Sequence, residues 1–77
     1  MEAGMDIRLL AVEIGLQIKE IRKRRGINQE ELARRLSTSQ SSISRLEKGR
    51  SVPTLPHLGR VLDELSIRLE IRLVDLL

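Results

Sequence analysis

Gln40, Ser41, Ser44 and Arg45 are four hydrogen-bonding side chains within six residues of this 77-residue chain. On a helix over about residues 40–48 they form one outward row, while Ile43 and Leu46 turn to the opposite, buried side. The chemistry available to such a row is hydrogen-bonded recognition of another surface. Because it lies at the start of its helix, it meets the requirement for reading base edges in the major groove of duplex DNA, which the N-terminal residues of a recognition helix must reach.

Other elements must hold this row in place. Residues 29–36 carry Leu32, Ala33 and Leu36 at helical spacing, and Ser37-Thr38-Ser39 separates them from the outward row as a tight polar turn. Asn28 is a suitable N-cap for this helix, with Glu31 as its capping-box partner. Upstream, a longer helix runs to about Arg25, with Leu10, Ile14, Ile18 and Ile21 as its expected core stripe and Gly26 as its stop. It starts near Asp6 or near Val12. Gly15 weakens its interior, so residues 5–11 form either its first turns or a separate arm. Lys19, Arg22, Lys23, Arg24 and Arg25 crowd its C-terminal end, where cations complement the helix dipole or contact phosphate. Downstream, Gly49 ends the recognition helix. Thr54 caps a fourth helix that tolerates Pro56 in its first turn and carries Leu55, Leu58, Val61, Leu62 and Leu65 inward.

After residue 65 the period changes. Ile67, Leu69, Ile71 and Leu73 alternate with Arg68, Glu70 and Arg72, the two-residue period of a half-buried strand rather than a continuation of the fourth helix. A lone strand leaves its backbone groups unpaired. The simplest partner is the same strand of a second copy, antiparallel across a two-fold axis. Centring that pairing on Glu70 would oppose Glu70 to itself and Arg68 to Arg72, whereas centring on Leu69 or Ile71 pairs Glu70 with an arginine. Residues 1–65 are therefore expected to form the domain, and residues 66–77 its dimerisation strand.

Composition narrows the function. The chain contains no cysteine and no aromatic residue, and its net charge is +3. No disulfide or thiolate metal site supplements the small core, which points to a subunit interface as the supplement. The basic balance is compatible with nucleic acid. Single-strand readers usually stack bases on aromatic rings, so a chain without any suits duplex DNA better. No signal peptide or membrane span is visible, and a cytoplasmic, nucleoid-associated protein is expected. His57, the single histidine, suits a surface or capping role. No histidine or cysteine is placed to activate a nucleophile, no glycine loop suits a phosphate, and no metal or cofactor ligand set is present, so no enzyme is expected.

The runs IKEIRKRRG, NQEELA and SQSSISRLEKG, with the later Pro-Thr-Leu, resemble the phage-repressor/Cro-type (XRE) helix-turn-helix family at matching spacings. The resemblance implies a mainly α, four-to-five-helix lambda-repressor-like domain. Here a single C-terminal β-strand pairing across a dimer is added to it. It also implies base-reading roles for Gln40, Ser41, Ser44 and Arg45, since Gln can bind adenine bidentately and Arg can bind guanine through O6 and N7. Gln29, Ser42, Lys48 and Arg50 correspond to phosphate-contacting positions, and Arg22 and Glu47 to an internal ion pair between the first and third helices. Ser37 departs from the family, which often has glycine at that turn. The compact domain with its tail strand is similar to antitoxins of toxin–antitoxin pairs, which implies a homodimeric repressor of a pseudo-palindromic operator with a cognate toxin as partner. The alternatives are a stand-alone or restriction–modification controller-type regulator, whose dimer would be all-helical, and a protein-interaction module without DNA.

Overall fold

The computed structural model describes residues 6–77; the remainder of the expected domain, residues 1–5, lies outside it. Four helices follow one another: α1 (Ile7–Arg24), α2 (Gln29–Arg35), α3 (Gln40–Glu47) and α4 (Leu55–Glu64). Each begins at a side chain that accepts a hydrogen bond from an otherwise free backbone N–H. Asp6 accepts from Arg8, Asn28 from Glu31, Ser39 from Ser42 and Thr54 from His57. Such caps satisfy part of the unpaired first turn. The capping box expected at α2 is half formed, because the Glu31 carboxylate turns to Arg34 and Arg35 instead of back to Asn28.

The four helices also end alike. Gly26 (φ 71°), Ser37 (54°), Gly49 (70°) and Ser66 (56°) all adopt left-handed backbone. The N–H of the next residue returns to the last turn in each case: Ile27 to Arg22, Thr38 to Ala33, Arg50 to Arg45 and Ile67 to Leu62, at 2.8–3.2 Å. This is the Schellman closure, for which glycine is the unstrained residue. Ser37 and Ser66 accept the strain at two of the four ends. The serine that departs from the family pattern thus keeps the backbone that the usual glycine would have.

α3 lies centrally, packed on both α1 and α2. Ile43 and Leu46 enter a core with Ile18, Leu32, Leu36, Val61 and Leu65. The face that α1 turns inward differs from the expected stripe. Ala11, Gly15, Ile18 and Arg22 are its buried residues, while Leu10 is 40% exposed and Ile14 and Ile21 are only partly covered. The helix is rotated because its small residues let α3 approach. A Cβ on Gly15 would collide with the Leu46 carbonyl oxygen and lie 2.8 Å from that of Glu47. Residues 7–11 belong to this same continuous helix, not to a separate arm.

The tail does not extend α4. Ser66 and Ile67 close that helix, and the Arg25 guanidinium donates to the Leu65 carbonyl (3.1 Å) and the Ser66 carbonyl (3.5 Å). Ile67 packs on the core. Beyond it the chain forms no helix and pairs with no other described segment, and Leu69, Ile71 and Leu73 are exposed. Among the described residues of one copy there is no strand for this segment to meet.

Two substitutions test these contacts by chemical denaturation. Ser37→Gly should stabilise the fold by about 0.5–1 kcal/mol, the relief of left-handed strain less the added chain entropy of glycine. Gly15→Ala would stabilise a free helix, yet here it should destabilise by about 1–3 kcal/mol, because the carbonyls it meets belong to backbone.

Candidate nucleic-acid interface

The outward side of α3 is built from its buried side. Ile43 and Leu46 fix the rotation of the helix, and Ser39 fixes its start. Gln40, Ser41, Ser44 and Arg45 then line one shallow groove of about 390 Å³, together with Gln29 from the first turn of α2. Gln40, Ser41 and Arg45 are exposed, whereas Ser44 and Ser42 are half-buried. Lys48 and Arg50 are exposed just beyond the C-terminal end of α3. All eight residues singled out as contacting positions therefore come from the α2 start, α3 and the loop after it.

Beneath the groove runs a connected polar chain. Arg22 and Glu47 form a two-point ion pair, Nε to Oε2 at 2.6 Å and Nη2 to Oε1 at 3.0 Å, with both side chains buried. Arg22 also donates Nη1 to the Ile27 carbonyl at 2.7 Å, tying in the loop before α2. Gln29 Nε2 donates to Glu47 Oε1 at 2.9 Å, and Gln40 Nε2 donates to Gln29 Oε1 at 3.4 Å. The direction of these bonds follows from Glu47. A carboxylate only accepts, so Gln29 must present its NH₂ inward and its oxygen to Gln40. Gln40 must then give one N–H to Gln29, which keeps its carbonyl oxygen and its second N–H for the groove. Arg22 and Glu47 were expected to join α1 to α3, and they do. The part that sequence did not reveal is the route onward through Gln29, because only the folded turn brings residues 29 and 40 together.

Other charged groups serve the scaffold. Glu31 receives hydrogen bonds from Arg35 and Arg34, and the bond from Arg35, with the charge of Arg34, holds its carboxyl below the ordinary range despite some desolvation. Arg35 is raised in turn, chiefly by its hydrogen bond to Glu31. A depressed carboxyl contributes stability above its unfolded pKa that is lost as pH falls through the folded one. Being exposed, this pair contributes little. Arg25 and Arg60 were not foreseen as caps. Arg25 holds the end of α4, and Arg60 donates to the Leu36 carbonyl at the end of α2 (2.7 Å). Lys19, Lys23 and Arg24 are exposed. Of the four tail residues expected to dimerise, Ile67 alone touches the core.

Residues 18–71 match a family model described as helix-turn-helix. No curated protein matches the chain. Among solved structures, the chain is similar to HipB in a HipA–HipB–O2–O3 complex, at 22% identity and TM-score 0.66, covering 99% of each chain. A serine-to-alanine HipB variant in an O2 20mer complex gives 22% identity and TM-score 0.67, covering 99% of this chain and 97% of that one. A structure described as MDT protein gives 22% identity and TM-score 0.66, again covering 99% of each. At this identity the likeness is one of fold, and it extends through the tail.

Arg22→Ala should cost about 3–5 kcal/mol, because it strands the buried Glu47 carboxylate. Replacing both residues by apolar ones (Arg22→Met with Glu47→Leu) should restore much of that loss. Urea denaturation of the three proteins checks this. A single variant as stable as the parent would show that the pair carries no structural weight.

Proposed function

The chain belongs to the XRE-type helix-turn-helix family whose model it matches over residues 18–71, and from that premise we propose that it is a homodimeric, sequence-specific repressor of a pseudo-palindromic operator and the antitoxin of a toxin–antitoxin pair. The observation that carries the reading is the grouping of Gln40, Ser41, Ser44 and Arg45 with Gln29 along one groove on the outward side of α3. Gln40 keeps one donor and one acceptor for the groove, the pair that the N7 and N6 edge of adenine requires. Arg45 offers a fork suited to the O6 and N7 of guanine, and the two serines adapt to either. Lys48 and Arg50 supply phosphate contacts beyond the helix. Ser42 and the start of α2 at Gln29 supply further contacts from hydroxyl, amide and backbone N–H groups. Phosphate contacts give affinity and its salt dependence, and the α3 row gives preference.

Two copies joined through residues 66–77, with residues 1–65 as the reading domain, would present two α3 rows to half-sites about 10 bp apart. The exposed Leu69, Ile71 and Leu73 support that joining, since an isolated domain gains nothing by leaving them in water. The likeness to a HipB that occurs in complex with HipA and with O2 and O3 supports a toxin partner, which would dock on the helical domain or the tail. The closure of α4 at Ser66 favours this reading over the all-helical dimer of a restriction–modification controller. No helix is long and apolar enough, among the described residues, to cross a membrane, in keeping with a protein that works on the nucleoid.

Arg45→Ala tests the reading. It should weaken binding to the preferred duplex by about 1–3 kcal/mol and relax the preference at one base pair. Fluorescence anisotropy against a matched duplex and single-pair variants measures both effects. An equal loss on every sequence would instead make Arg45 a phosphate contact.

A further inference from the structure

Resting on the dimer reading above, we propose that the two tails pair in antiparallel register centred on Ile71, with a non-hydrogen-bonded Ile71–Ile71 contact at the two-fold axis and the partner's Asp75 beside Arg25. Charge alone admits two centres, Leu69 and Ile71, since each sets Glu70 against an arginine. The way α4 ends decides between them.

Leu65 keeps near-helical backbone (φ −96°, ψ 4°) and Ser66 is left-handed (φ 56°). Neither can join a ladder, so Ile67 is the first residue available to a strand. With Leu69 at the centre, Ile67 faces Ile71, and pairing stops there because the next residues would face Ser66 and Leu65. With Ile71 at the centre, Ile67 faces Asp75, and residues 67–75 of both chains pair without interruption. The longer ladder satisfies more backbone groups. It also sets Leu69 against Leu73 and Glu70 against Arg72, with Ile71 meeting itself.

The pattern of hydrogen bonds follows as well. The N–H of Ile67 is committed to the Leu62 carbonyl at 2.8 Å, so the pair containing Ile67 must be a non-hydrogen-bonded one. Antiparallel pairs alternate, and the centre lies an even number of residues away. The central pair is therefore non-hydrogen-bonded too, with Cα atoms about 4.5 Å apart. Charge favours the same register. Asp75, opposite Ile67, falls on the face of the ribbon that carries the apolar side chains. Arg25 is the cation placed there, its guanidinium already at the Leu65 and Ser66 carbonyls. With Leu69 at the centre, Asp75 would run past the ladder and away from that cation.

The absence of cysteine from the chain makes the test direct. A non-hydrogen-bonded self-pair has the Cα separation a disulfide needs, whereas residues offset along the strands do not. Ile71→Cys and Leu69→Cys are oxidised mildly as full-length proteins and run on non-reducing gels, with sedimentation of the parent recorded alongside. The register predicts that Ile71→Cys shifts to a covalent dimer while Leu69→Cys stays a monomer band. Cross-linking through Leu69→Cys alone would overturn it in favour of the shorter ladder. A parent that sediments as a dimer while neither variant cross-links would overturn the register and leave dimerisation to another surface. A monomeric parent would remove the dimer reading itself, and the register with it.

Discussion

The buried pair of Arg22 and Glu47 is the constraint from which the rest of the domain takes its geometry. It joins α1 to α3 through two hydrogen bonds and fixes the loop before α2 through the Ile27 carbonyl. A charge at that depth tolerates little displacement, because a carboxylate without its guanidinium would be desolvated and unpaired. The same region contains a close backbone approach, Gly15 against the last carbonyls of α3. Electrostatic geometry and steric fit therefore agree on where the C-terminal end of α3 must lie. Its N-terminal end is tied in by Gln29, which carries the order of the ion pair outward to Gln40. If this surface meets a rigid duplex, as proposed, it benefits from this, since side chains already held in place lose less freedom on binding.

The helix ends add to the stability of a small core without aromatic rings. α2, α3 and α4 are short, at 7, 8 and 10 residues, and short helices leave many unpaired N–H and carbonyl groups relative to their length. Here each start has a side-chain acceptor and each end a left-handed closure. Arg25 and Arg60 add long-range caps that also staple α1 to α4 and α4 to α2. Arginine suits this work because its fork can satisfy carbonyls while its charge stays near water.

Much of this was legible in the sequence. Helical periodicity located α2, α3 and α4, and the caps at Asn28 and Thr54 were visible as residue types. The outward row of α3 follows from the helical spacing of Ile43 and Leu46, which puts them on the buried side. Besides the Arg25 and Arg60 caps, two features were not legible. Of the expected α1 stripe, Leu10, Ile14, Ile18 and Ile21, Ile18 alone is fully buried, and the small residues Ala11 and Gly15 are buried with it. Periodicity weighs hydrophobicity, and close approach selects for small size, so the two pointed to neighbouring faces of one helix. Gly15 looked like a weakness because propensity describes an isolated helix. The second feature was the route from Glu47 to Gln40, which depends on the turn bringing together residues far apart in sequence.

The tail connects the two levels of the account. Ser66 ends α4 and so determines where a strand can begin; in the proposed dimer that strand would set the spacing of two α3 rows. Such a dimer would make DNA preference a property of the pair as well as of the row itself. The central claim is that paired α3 rows read sequence. Selection of bound molecules from random duplexes at near-physiological salt tests it most directly. The account predicts enrichment of a two-fold symmetric motif with half-sites about one helical turn apart. Retention without any motif, vanishing as salt rises, would be nonspecific attraction to phosphate and would contradict it.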